Sequence, residues 1–523
     1  MPDQPTSSSS LEVEEDSLAT PSAPELPEKN GNPKQLQRME TVPDIKRDTS
    51  GITTQYIATG IVNLGAFAAG ACVAWSSAAL PLLISEPFEN DNIGLEVPSN
   101  ITHRFALTES EASWTASLLC LGALFGAVPT GLISENFGRK KTLLYLALPL
   151  VVSWTLIAST PNVYGLYVGR FVGGVAVGAF SVGIPPYVED IAEKQLLATL
   201  ANFYHVHFTC GVLFGYIVGM ILNPSWLSFL CASVPVGFFV GFIFLPESPV
   251  YLISQGKYNE AKTALRYYRG IDNDIESEFK ALKENFRNLV KVTFKELFST
   301  KATVKALIVS FGLMFFQQVS GIYPILFYAS KIFKTFSITS ELPSAAIILG
   351  FCLVSSTYFS TMLLKLIRRR ILLVFSFVFM SISLGLLATY YHLKASNICS
   401  GNTLPLFCLC LFVSVYATGV GPIPWLMLRE IFPKNVTRRA TAITAGVHWF
   451  LAFGATKLYQ NLVDQVKPGW TLWYFAIICI IGAIFVYVFV PETKGRTVEE
   501  IHKELDGQKT HIHIIELKSV TAT

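Results

Sequence analysis

Long apolar runs separated by short polar ones fill the chain from about residue 56 to residue 490. A helix crossing the hydrocarbon core of a bilayer needs roughly 20 mostly apolar residues. Stretches of that kind lie at 56–84, 113–133, 142–159, 163–187, 197–222, 226–245, 302–330, 342–364, 371–391, 404–428, 438–463 and 469–490. The pattern predicts an all-α membrane protein with about twelve transmembrane helices. Several runs contain Gly or Pro, which membrane helices tolerate better than soluble ones. The polar remainder falls into three pieces. Residues 1–55 are rich in Ser, Pro, Glu and Lys and are expected to form a disordered tail, with no cleavable signal ahead of the first run. Residues 246–301 form a linker whose apolar positions recur at three-four spacing over 258–268 and 275–297, which predicts amphipathic helices. Residues 491–523 form a second tail.

Composition agrees with the pattern. Of 523 residues, 51% are hydrophobic and 15% charged, and the mean hydropathy is +0.46, too apolar for a soluble protein. The net charge of +3 matters less than its placement. Arg139 to Lys141, Lys365 with Arg368 to Arg370, Lys434 with Arg438 and Arg439, and ten Lys or Arg between 257 and 301 all fall on one side if the spans alternate. The positive-inside rule then places both termini and the linker in the cytoplasm of a multi-pass protein, with the plasma membrane the expected site. Asn100-Ile101-Thr102 falls in an outward loop and is a candidate glycosylation site, whereas Asn435-Val436-Thr437 lies on the other side. The nine cysteines sit mostly within apolar runs and suggest neither a disulfide framework nor a metal site. No cofactor motif, nucleophile–base arrangement or phosphate loop is present, and the basic loops are explained by topology without nucleic acid. The bilayer is the evident partner, with no obligate protein partner indicated.

The chain also repeats itself. Arg139 and Arg369 follow polar turns between two spans at an offset of 230. Asp190, after Pro185-Pro186-Tyr187, is echoed by Glu430, after Gly421-Pro422-Ile423-Pro424-Trp425, at an offset of 240. Pro246-Glu247-Ser248 returns as Pro491-Glu492-Thr493 at an offset of 245. Two similar halves, 56–245 and 302–490, packed about a central path are the architecture of a carrier. A sugar or polyol presents hydroxyls that both donate and accept hydrogen bonds. The amides Gln317 and Gln318 in the seventh run can do both, and Trp425 offers a flat apolar face. Within a bilayer such amides face either a wet cavity or a partner helix, and both readings stand.

Seven segments together resemble the sugar porter branch of the major facilitator superfamily: GLISENFGRKK (131–141), GRFVGG (169–174), PPYVEDIA (185–192), LPESPVYL (245–252), QQVSGIYPILFY (317–328), GPIPWLMLREIFP (421–433) and VPETKGRTVEEI (490–501). Trp75-Ser76-Ser77, Leu80-Pro81 and Ala112-Ser113-Trp114 are most similar to the insect-type facilitated trehalose transporters and to class III glucose-transporter relatives. The resemblance implies two six-helix bundles rocking about a central site. It also implies a cytoplasmic latch in which Arg139, Arg170 and Arg369 meet Glu135, Asp190, Glu247, Glu430 or Glu492. Gln317, Gln318 and Trp425 are the implied substrate contacts. His205, Tyr323 and His448, followed by Trp449, stand where relatives carry other polar residues, and Leu353 stands where a polar residue is expected. His205 and His207 lie about 200° apart on a helix, so one of them faces the cavity, and the resemblance selects His205.

The latch departs from the family pattern at Leu197, Lys365, Arg368 and Thr437, which implies a weaker cytoplasmic closure and a bias toward inward-open states. The expected function is facilitative transport of a hexose, a disaccharide such as trehalose, or a polyol by alternating access. Proton-coupled symport is the alternative, disfavoured because residues 56–84 contain no Asp or Glu. A non-transporting sensor of the same fold is the third.

Overall fold

A computed structural model of the chain describes residues 49–84, 106–270, 274–287, 298, 300–335, 342–396, 398 and 403–507. The side chains of 49, 50, 335, 342–344 and 434 are not described. Asn100 lies outside the described residues, as does most of the N-terminal tail.

Among the described residues there are twenty helices and no strand, apart from one isolated bridge between Ile84 and Leu107. Eleven segments are long and apolar enough to cross a membrane. In the first half they are Gly51–Leu83, Glu109–Phe137, Arg139–Ser159, Val163–Ile191, Leu197–Ile221 and Pro224–Ile243. In the second half they are Lys301–Phe327, Ala345–Leu366, Arg369–Ala395, Thr403–Ile431 and Pro468–Phe489. The helix Lys434–Val466 stands between the last two and is more polar along its length, so it completes six spans in that half. Outward-facing positions are large and apolar, with Phe351, Tyr358 and Phe359 on the eighth span and Ile480, Ile484 and Val488 on the twelfth all exposed. That is how a helix presents itself to lipid.

Helix contacts in the first half depend on missing side chains. A Cβ on Gly126 would stand 1.9 Å from the Val175 carbonyl oxygen, and one on Gly178 would stand 1.9 Å from that of Ala123. The second and fourth spans therefore touch backbone to backbone, the arrangement small residues permit in membranes.

Two spans are interrupted where they pass the centre. The seventh stops at Val319 and restarts at Ile322, turning on Gly321 at φ +91°, a conformation that favours glycine. The tenth stops at Thr418 and restarts at Ile423 across Gly419-Val420-Gly421-Pro422. Broken helices free backbone carbonyls, which is tolerable in a bilayer only where protein or a wet cavity satisfies them.

The first helix begins at Thr49, so residues 49–55, assigned to the tail from composition, are helical. The cause is tertiary. Gln55 is fully buried and donates to the Tyr268 carbonyl at 3.0 Å and to Glu193 Oε1 at 2.9 Å. Linker helices occupy Pro249–Ser254, Tyr258–Arg269 and Glu276–Arg287. Arg269 ties them to the bundle by donating to the Ile191 carbonyl at 2.6 Å while pairing with Glu278 at 2.7 Å. The helix Val498–Leu505 docks on the other half, where His502 Nε2 meets the Ile431 carbonyl at 2.9 Å. The linker thus rides with the first half and the C-terminal helix with the second.

Candidate functional site

The sequence repeat is reproduced residue for residue on the face that carries the basic loops. In the first half, Arg139 Nε pairs with Asp190 Oδ2 at 2.8 Å, and Ser248 Oγ donates to the same carboxylate. Glu247 accepts from the Lys140 backbone N–H at 2.8 Å. In the second half, Arg369 pairs with Glu430 at 3.3 Å, and Thr493 Oγ1 donates to that carboxylate. Glu492 accepts from the backbone N–H groups of Arg369 at 3.0 Å and Arg370 at 3.2 Å. Glu247 and Glu492 therefore serve as remote caps for the third and ninth spans, whose first N–H groups have no partner within the helix. They bind backbone rather than the arginine side chains the latch reading gave them. Gly138 sits at φ +101° against Glu247, and any Cβ there would meet that carboxylate at 2.8 Å.

These clusters lie each within one half. The links between halves on this face are different: Arg429 with Glu189, and Arg438 with Glu135 at 3.2 Å. Lys365 Nζ donates to Thr199 Oγ1 at 3.0 Å, and Asn202 Nδ2 donates to Thr361 Oγ1 at 2.6 Å. Glu135 thus links the two halves, but its partner is Arg438 and not Arg139. Thr437 contributes nothing across the gap, because its hydroxyl turns back to the Phe432 carbonyl at 3.0 Å.

Arg170 is the clear correction. It lies about two turns into the fourth span, which starts at Val163, in the half of that helix away from the basic loops, and it is fully buried. Its guanidinium donates to the carbonyls of Thr115 at 3.1 Å and Cys72 at 2.8 Å and to Ser76 Oγ at 2.6 Å. The Trp75 ring lies beneath it at 5.2 Å. It is a buried strut among three spans of the first half and takes no part in the latch.

On the face opposite the basic loops the halves also meet. Lys331 pairs with Glu109 at 2.7 Å, Ser330 lies 3.1 Å from Ser77, and Ser113 Oγ donates to the Lys457 carbonyl at 3.3 Å. Linked at both faces, the halves frame a cavity of about 100 Å³ between them. Its first-half wall includes Ser181 of the fourth span and Tyr204, His205 and Thr209 of the fifth. Its second-half wall includes Tyr323, Leu353, Thr357, Tyr416, Trp425, His448 and Trp449, and Arg429 contributes from the basic face. The sequence reading missed Tyr204, Tyr416 and Thr357, since a phenol or hydroxyl on a membrane helix carries no spacing signal. His207 is not in the wall, and its Nδ1 meets the Phe203 carbonyl at 2.8 Å.

Aromatic rings and one imidazole build the second-half wall. His448 lies 5.0 Å from both Trp425 and Trp449, and Tyr323 lies 5.9 Å from Trp449, centre to centre. Trp449 Nε1 donates to Ser181 Oγ across the halves at 3.2 Å.

Gln317 and Gln318, read as substrate contacts, stand behind this wall. Gln317 Nε2 donates to the carbonyls of Val420 at 2.7 Å and Gly421 at 3.0 Å, the groups freed by the break in the tenth span. That fixes the amide, so Gln317 Oε1 accepts from Gln318 Nε2 at 3.1 Å. Gln318 Nε2 lies 2.8 Å from His448 Nδ1, which also lies 3.1 Å from Gln317 Oε1. The two amides and the imidazole therefore form one buried network. The glutamines are buried and act on the cavity through the imidazole.

Comparison with known proteins accounts for this architecture. The profile of the family described as "Sugar (and other) transporter" matches residues 89–505. The facilitated trehalose transporter Tret1 of Bombyx mori is 36% identical over 467 residues, covering 88% of this chain and 89% of the relative. Tret1 of Polypedilum vanderplanki is 33% identical over 463 residues, covering 87% and 89%. Among solved structures, the proton:xylose symporter XylE bound to 6-bromo-6-deoxy-D-glucose superposes with a TM-score of 0.70 at 23% identity, covering 87% of this chain and 100% of that one. An inward-open XylE from E. coli gives 0.68 at 22%, covering 86% and 99%. These two establish the major facilitator fold. The sequence motifs, the paired six-span halves and the profile match converge: the chain belongs to the sugar porter family of the major facilitator superfamily.

Proposed function

We propose that the protein carries an uncharged sugar, with trehalose and hexoses as the leading substrates, down its gradient by alternating access. The observation that carries this reading is the cavity between the halves. Its walls are aromatic rings, hydroxyls and imidazoles, with the Arg429 guanidinium on the basic face, suited to stacking on the C–H face of a sugar and bonding its hydroxyls. A few hydrogen bonds worth about 0.5–1.5 kcal/mol each give the weak binding a carrier needs in order to release its cargo. Tyr323, Trp425, His448, Trp449 and His205 are the proposed contacts, joined by Tyr204 and Tyr416. The two halves are the moving bodies, and the face with the basic loops is cytoplasmic in a plasma-membrane protein.

Arg170 supports uniport over proton symport. Its described partners are two carbonyls and a hydroxyl, so no carboxylate bonded to it is available to exchange a proton. The test is uptake of labelled trehalose and D-glucose into proteoliposomes with and without an imposed pH gradient. Uptake that equilibrates and moves no protons is expected. Substrate-dependent proton flux would replace uniport with symport, and no uptake of any sugar or polyol would favour a sensor.

A further inference from the structure

The pair Glu189–Arg429 joins the two functions that the rest of the molecule keeps apart. Each residue immediately precedes the acidic member of its half's charge cluster, Asp190 or Glu430, so the two are equivalents at the same offset of 240. Everything else in those clusters bonds within its own half. Glu189 and Arg429 bond across the gap, with side chains only about 30% exposed. Of the cations described above as linking the halves on this face, Arg429 is the one that also lines the cavity. A guanidinium has five N–H donors in a rigid fork. Its Nη1 pairs with Glu189, and a five-donor fork can bond further oxygens that enter from the cavity.

We propose that Arg429 is a substrate contact that also bolts the cytoplasmic gate, so that a bound sugar and Glu189 hold one guanidinium together. The inference rests on the transport reading above. When Glu189 holds the fork at the cavity floor, a sugar hydroxyl can accept from it at no further ordering cost. When a sugar is bound, the fork is held where Glu189 can reach it. Each stabilises the other by the same factor, because coupling between two sites is reciprocal. The sugar thereby promotes closure of the gate beneath it, and the loaded carrier passes through the occluded arrangement.

The experiment labels a cysteine at position 201 (Ala201→Cys, a cavity-wall position) from the cytoplasmic side, with the other accessible thiols removed, with and without trehalose or D-glucose. In the parent protein, sugar should slow labelling by about fivefold or more, the lower end of ordinary coupling. Glu189→Gln should label faster without sugar and lose most of the sugar protection. Arg429→Lys keeps a cation for Glu189 but lacks the fork. It should label like the parent without sugar yet lose the protection and raise KM. The exchange Glu189→Arg with Arg429→Glu should restore slow basal labelling but not the parental KM. If Glu189→Gln and Arg429→Lys both keep full sugar protection, the proposal is overturned. If the parent transports sugar but shows no protection, the coupling fails while the carrier reading survives. A parent that transports nothing removes the carrier reading itself.

Discussion

Replacing Asp190 with alanine is expected to destabilise the protein far more than replacing its counterpart Glu430. Asp190 is the acid partner of Arg139, and both side chains are at most 10% exposed. Removing one member of a buried pair strands the other, at a cost of about 3–5 kcal/mol. Ser248 loses its acceptor in this change as Thr493 does when Glu430 is removed, so the difference rests on burial. Glu430 is 25% exposed and lies 3.3 Å from Arg369, which also donates to the Leu364 carbonyl. Its loss should cost about 1–2 kcal/mol, between the surface and buried limits. Thermal unfolding of the two alanine variants in detergent reads the difference directly. Equal losses would mean that the two halves, alike in geometry, are also alike in energetics, contrary to the burial observed.

His448→Phe is expected to lower kcat/KM for the transported sugar by about ten- to a hundredfold, about 1–3 kcal/mol for a buried hydrogen-bonding network left unsatisfied. The ring and its packing against Trp425 and Trp449 are kept, so a folded protein is expected. What is lost is both ring nitrogens, including the Nδ1 that meets Gln318 and Gln317. Gln318→Ala should show a smaller defect, because it acts on the cavity only through the imidazole. In the double variant the second substitution should add little, since the residues form one chain of hydrogen bonds. Additive defects would show that Gln318 reaches the sugar independently.

The same residues explain what could be read from the sequence. The spans, the two halves and the charge repeat were legible because charges are sparse in a membrane protein and mark helix ends. The offsets of 230, 240 and 245 became matching ion pairs and helix caps. Side-chain destinations were less legible. The type of Gln317 shows that it can both donate and accept, but its partners are carbonyls of the broken tenth span, 103 and 104 positions away. Both breaks are visible as Ser320-Gly321 and Gly419-Val420-Gly421-Pro422, yet their juxtaposition is tertiary. Arg170 was misplaced although the sequence held the answer: span alternation puts the start of the fourth run opposite the basic loops. Glu189 and Arg429 were missed for a similar reason, since they obey the offset of 240 beside a pair that drew notice first.

The central claim is that the halves must part on the cytoplasmic face for sugar to cross. Cysteines in place of Glu135 and Arg438, whose side chains meet across that face at 3.2 Å, allow it to be pinned shut with a bifunctional thiol reagent that spans the length of the two lost side chains. In proteoliposomes, cross-linking the pair with a reducible reagent should abolish trehalose or glucose uptake, and a reductant should restore it. Uptake that continues at its full rate through the cross-linked protein would contradict the account.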